Sequence, residues 1–148
     1  MESQAAFRTL LAAMANPMTI HEMTFSGPSL APFDSATLAS CLTLLDLETS
    51  VWIQPGSAAD TPLRDFLRFH CGCPLAGDPS GARFALIHSP LLMPPLGAFH
   101  PGTGEFPDRS ATLIIRCTGF IAGEGASFDG PGFETARRLR IDGLPEGF

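Results

Sequence analysis

The segment from Asp34 or Ser35 to about Leu47 constrains this chain more than any other, because it reads as a helix with almost no polar side. Ala36, Leu38, Ala39, Cys41, Leu42, Leu44 and Leu45 fall on most of its faces. Such a helix must be covered nearly all round, at the centre of a domain or in a subunit interface. The rest of the chain has to supply layers around it. With 148 residues, 45% of them hydrophobic and 16% charged, there is enough material for one globular domain spanning 1–148. Helices and strands alternate early and strands pair late, so the expected fold is α/β, a mixed sheet with flanking helices.

Other elements surround that centre. Ser3 is a candidate cap for a surface helix with Phe7, Leu10, Leu11 and Met14 on one stripe, ended by Asn16-Pro17. A short extended run, Met18–Met23, leads to a loop marked by Gly27, Pro28 and Pro32. Val51-Trp52-Ile53 is a buried strand closed by Pro55-Gly56. Thr61-Pro62 has the form of an N-cap followed by proline, opening a helix that carries Leu63, Phe66, Leu67 and His70. Cys73–Leu75 and Arg83–His88 read as extended, Pro90–Pro95 as a helical turn, and Phe99–Asp108 as a Gly/Pro-rich loop. Ala111–Cys117 is the strongest strand, with Ala126–Asp129 its expected partner across a turn at Gly123 and Gly125. Thr135–Ile141 reads as extended.

Composition excludes several chemistries. The net charge of −6, with no basic stripe beyond Arg137, Arg138 and Arg140, argues against nucleic acid. No apolar run reaches the length of a membrane span, and the first residues lack a signal-peptide pattern, so a cytoplasmic location is expected. Lysine and tyrosine are absent, and all nine basic residues are arginine. These residues therefore offer no Schiff-base amine, no P-loop lysine and no tyrosine general acid. Cys41, Cys71, Cys73 and Cys117 are expected as reduced thiols.

Two motifs carry candidate chemistry. His70-Cys71-Gly72-Cys73 supplies at most three ligands where a structural zinc site needs four, so no metal is expected. The loop Gly102-Thr103-Gly104-Glu105-Phe106-Pro107-Asp108-Arg109, with His100 before it, is the candidate ligand loop. Glycine-rich backbone can wrap phosphate, and His100, Glu105, Asp108 and Arg109 could form an acid/base group. The loop leads into a strand and has no Lys-Ser/Thr after it, so it is not a Walker loop. A tight surface turn in which Asp108 and Arg109 set the strand entry is the competing reading. No Gly-x-Ser-x-Gly elbow is present, and residue chemistry alone specifies no reaction.

Five stretches, in order along nearly the whole chain, resemble one family. They are Gln4–Ala15 with Pro17; Leu42–Asp46 followed by Glu48-Thr49 and Val51-Trp52; Leu67-Arg68-Phe69-His70; Pro107–Leu113; and Gly130-Pro131-Gly132. The set is similar to the phosphonate metabolism protein PhnH, a component of the bacterial carbon–phosphorus lyase complex. The resemblance implies a fold like the large domain of pyridoxal-phosphate-dependent transferases, but with no such cofactor, in keeping with the missing lysine. It implies a homodimer in isolation and a larger assembly with the G, I and J subunits. That assembly attaches an alkylphosphonate to the ribose of ATP in place of adenine. The resemblance carries over no catalytic residue. Family members continue past Gly143-Leu144-Pro145 into a further helix and strand pair, so it also implies that the C-terminal part of the usual domain is missing. Two functions follow as expectations. One is an interaction subunit with little chemistry of its own. The other is an enzyme with a nucleotide or phosphonate site near His100–Arg109.

Overall fold

Three short runs rich in β-branched and other apolar residues, each followed or preceded by a Pro/Gly break, form a parallel sheet. In the computed structural model, which describes residues 2–28, 30–57, 60–131 and 133–146, these strands are β1 (Val51–Ile53), β2 (Phe84–Ile87) and β3 (Thr112–Ile115), in that order across the sheet. The 74–76 segment adds a single parallel bridge to the outer side of β1, where Val51 N–H donates to the Pro74 carbonyl at 2.9 Å. Side chains alternate across the pleat. Val51, Ile53 and Leu86 point to one face, Trp52, Ala85 and Ile87 to the other.

The first face is covered by two helices, α2 (Ser35–Leu44) and α3 (Asp60–His70). Leu38, Cys41, Leu63 and Leu67 have no solvent exposure and pack with Phe33, Leu45 and Cys73 against the sheet. The helix is central as expected, but it is shorter and less fully covered: only Thr37–Cys41 are buried, Leu42 and Leu44 are half-buried, Leu45 is already extended, and Leu47 is 75% exposed. Asp34 is the N-cap, its carboxylate accepting from Thr37 N–H at 2.7 Å. The next helix starts at Asp60, so Thr61 lies inside it; Asp60 accepts from Gly56 N–H and Ser57 N–H at 3.0 and 3.1 Å.

The second face has no helix among the described residues. It is covered by the 90–111 connection, built from single 3-10 turns at Pro90–Leu92, Leu96–Ala98 and Pro107–Arg109. Phe99 and Met93 seal it over Trp52, Ala85 and Ile87, and the Trp52 and Phe99 rings meet edge to face at 6.0 Å.

The late strands form a separate unit. β4 (Gly119–Phe128) and β5 (Arg137–Asp142) pair antiparallel, so the structure has a parallel sheet and an antiparallel pair where one mixed sheet was expected. Ala126–Phe128 belongs to β4 and pairs with Arg137–Leu139, not with β3, whose partner is β2. Gly123 and Gly125 are not a turn: they sit in a bulge between Ala122 and Ala126. Gly125 has φ +73°, and an added Cβ would lie 2.7 Å from the Leu139 carbonyl oxygen.

The N-terminal helix α1 (Glu2–Ala15) packs on α2 and begins before Ser3, whose side chain lies outside the described ones, as does Gly132. The apolar stripe of a surface helix is expected to face the core. Instead Ala6 is buried, while Phe7, Leu11 and Met14 are 48%, 49% and 72% exposed. The Met18–Met23 run pairs with no strand, and the hairpin is tied to it by Arg137, which donates to the Pro17 carbonyl at 3.0 Å. An apolar cleft of about 390 Å³, lined by Leu10, Met18, Met23, Phe120 and Leu139 among others, lies between them.

Candidate functional site

The parallel register fixes what lies at the amino ends of the strands. Val51 is opposite Phe84 and Phe84 opposite Thr112, so Ser50, Arg83 and Ala111 stand side by side. Backbone bonds hold them there: Arg83 N–H and Phe84 N–H donate to the Ser50 carbonyl at 3.0 Å, and Thr112 N–H donates to the Arg83 carbonyl at 2.8 Å. The Ser50 hydroxyl accepts from Arg83 N–H and donates to the Gly81 carbonyl, both at 3.1 Å. Ala111 N–H donates to the His100 carbonyl at 2.8 Å, which brings the start of the Gly-rich loop to the same edge.

The result is a shallow groove of about 240 Å³ lined by Ser50, Ser80, Gly81, Ala82, Arg83, His100 and Arg109. The loop behind it is internally braced. Thr103 N–H donates to the Phe106 carbonyl at 3.1 Å and Phe106 N–H to the Thr103 hydroxyl at 2.9 Å. The Arg109 guanidinium lies 4.0 Å over the Phe106 ring, a cation–π contact that holds it in place. Gly102 N–H donates to His100 Nδ1 at 3.0 Å. In the neutral ring that bond leaves the proton on Nε2, so His100 offers a donor there.

Of the candidate residues, the structure thus brings His100 and Arg109 together and gives Gly102 a part in orienting His100. Gly102 has φ +78°, and a Cβ on it would lie 2.9 Å from the Pro107 carbonyl oxygen. Gly104, Glu105 and Asp108 are exposed and lie outside the groove lining. Nothing lies within 4 Å of a Cβ placed on Gly104. Sequence reasoning missed Arg83, Ser50 and Ser80. Arg83 directly precedes β2, as Arg109 closely precedes β3, but that signal has meaning only once the two strands are known to run parallel.

Open parallel sheets commonly hold ligands at the carboxyl ends of their strands. Here that end is closed by Gln54, which is 3% exposed. Its Oε1 accepts from His88 N–H at 3.1 Å and Ser89 N–H at 2.9 Å, and its Nε2 donates to the Ser89 carbonyl at 3.0 Å. Every buried side-chain polar atom among the described residues is paired in this way.

The His70–Cys73 run does not converge. His70 is exposed, its ring 4.5 Å from that of Phe66 and 4.9 Å from that of Phe69. Cys71 and Cys73 turn toward Cys41 and the core. All four cysteines are free thiols. Burial, then the neighbouring Cys73, pushes Cys71 up to about 11, and burial raises Cys41, Cys73 and Cys117 as well. Protonated thiols are poor nucleophiles and poor metal ligands. No group of three or more metal-ligating side chains occurs among the described residues. Nor is any helix among them long and apolar enough to cross a membrane.

Comparison with known proteins gives the arrangement its context. The chain is 31% identical over 147 residues to the alpha-D-ribose 1-methylphosphonate 5-triphosphate synthase subunit PhnH of Rhizobium meliloti (strain 1021), covering 99% of this chain and 73% of that protein. The family model for bacterial phosphonate metabolism protein (PhnH) matches residues 1–148. With a match from end to end and a relative above 30% identity, this chain belongs to the bacterial phosphonate metabolism protein PhnH family.

Proposed function

We propose that the chain is the PhnH component of an α-D-ribose 1-methylphosphonate 5-triphosphate synthase in the carbon–phosphorus lyase system, acting by association and not by turnover of its own. On this reading it joins the G, I and J subunits in the cytoplasm. The assembly displaces adenine from ATP with an alkylphosphonate. Alone, the chain pairs as a homodimer, binding neither nucleic acid nor membrane. Residues 1–148 form one domain, built like the large domain of pyridoxal-phosphate-dependent transferases but holding no pyridoxal phosphate, since no lysine is present to form the imine. Family membership supplies the pathway.

The observation that carries the association reading is the α1 stripe. Phe7, Leu11 and Met14 occupy one helix face and remain about half or more exposed. Apolar side chains spaced this way cover an interface more often than they face water. The test is reconstitution. Tagged chain co-expressed with G, I and J should co-purify with them and support adenine release from ATP in the presence of methylphosphonate, whereas the chain alone should release none. Adenine release by the isolated chain, lost in Asp108→Ala with fold and assembly intact, would replace this reading with that of an enzyme whose own site lies at His100–Arg109.

A further inference from the structure

We propose that the groove at the amino ends of β1, β2 and β3 binds a tetrahedral phosphorus oxyanion, with Arg83 and Arg109 as its charged donors and His100 Nε2 as a further donor. The inference goes beyond the association reading, which needs no small-molecule ligand on this subunit.

The chain has 15 acidic residues against nine basic ones, so an arginine in this protein has ample opportunity to find a carboxylate. Arg140 does so, lying 2.6 Å from Glu124 and 3.2 Å from Asp142. Arg83 and Arg109, both exposed, make no ion pair among the described residues, in common with most of the chain's arginines; what sets these two apart is that they line one groove of about 240 Å³. Two like charges set in one concavity repel each other, and an anion between them removes that cost. The acids that flank the groove in sequence stay out of its lining. Asp78 accepts from Ser80 N–H, Gly81 N–H and the Ser80 hydroxyl, and Asp108 is exposed beside Arg109.

Guanidinium groups present planar pairs of N–H donors that match the oxygens of phosphate or phosphonate. Both arginines are anchored at the backbone on adjacent parallel strands or at their mouth, and Arg109 is further held over the Phe106 ring. His100 is fixed by Gly102 N–H so that Nε2 carries the remaining donor. The set thus gathers two guanidinium groups and an imidazole at one groove with no acidic residue in its lining. Free phosphonate and the polyphosphate of a nucleotide share the chemistry it recognises.

Titration calorimetry of the full chain with methylphosphonate, inorganic phosphate and ATP, each separately, tests the site. Saturable binding of at least one is expected, weakened tenfold or more by Arg83→Gln and by Arg109→Gln, and unchanged by Arg64→Gln on α3. Arg83→Gln leaves the 99–109 loop untouched, so it separates loss of the ligand from loss of loop structure; circular dichroism and melting temperature check that the fold persists. ATP bound tenfold or more tighter than methylphosphonate would identify a nucleotide polyphosphate as the occupant. Equal or tighter methylphosphonate would identify a free phosphonate. No saturable binding of any of the three, or binding unchanged in both Arg83→Gln and Arg109→Gln, would overturn the proposal. Because these measurements use the isolated chain, their failure leaves the association reading intact, and failure of co-purification leaves the groove intact.

Discussion

Gly102 and Gly104 look equivalent in a Gly-rich loop, and the structure separates them. Gly102 holds a left-handed backbone against the Pro107 carbonyl and donates to His100, whereas Gly104 has open space around it. Substituting alanine at Gly102 forces both a strained φ and a close contact, so a loss of about 1–3 kcal/mol is expected. Gly104→Ala should be neutral to within about 0.5 kcal/mol. Parallel denaturant melts of the two variants check this. A Gly102→Ala protein as stable as Gly104→Ala would mean that the loop backbone is not held as described. At this scale the sequence is informative about residue type and mute about partners. His100, Gly102 and Arg109 can be singled out by composition of the loop. Arg83 cannot, since 26 positions separate it from Arg109 and only the β2–β3 pairing joins them.

Among the elements, α2 is the most legible because its pattern is extreme and local: apolar on nearly every face, with Asp34 just before it. Removing that cap by Asp34→Ala leaves Thr37 N–H without its acceptor and should cost about 1 kcal/mol, read as a lower denaturation midpoint. An unchanged midpoint would show that the first turn of α2 is held by packing alone. The hairpin is the least legible. Two glycines three and five residues before Phe128 read as a turn because glycine permits positive φ, but bulges exploit the same freedom. Placing them in a turn splits β4 and sends its second half to the wrong partner. Parallel pairing is also invisible, because β1, β2 and β3 are joined by connections whose lengths carry no register. The α1 stripe illustrates a third limit. Periodicity shows that Phe7, Leu11 and Met14 share a face, and says nothing about whether this chain or another covers it.

For the whole molecule, coverage is what remains unequal. α2 and α3 seal one side of the sheet, a run of 3-10 turns seals the other, and α1 turns apolar side chains outward. If that outward face is where the proposed partner subunits dock, Phe7→Glu with Leu11→Glu should abolish co-purification with the proposed G, I and J partners, while the melting temperature of the chain falls by no more than a few degrees. Retained assembly would move the interface elsewhere, with exposed Leu91, Leu92 and Leu96 as the next candidates. The asymmetry between the two sides of the sheet also has an optical consequence. Trp52 is the chain's sole tryptophan, and there is no tyrosine, so excitation at the red edge of aromatic absorption addresses one indole. That indole is 7% exposed beneath Phe99, on the side closed by the turns and away from both helices. Intrinsic emission is therefore a local gauge of the layer that ends in the Arg109 loop: a red shift on adding a ligand or a partner reports that layer lifting, with α2 and α3 silent.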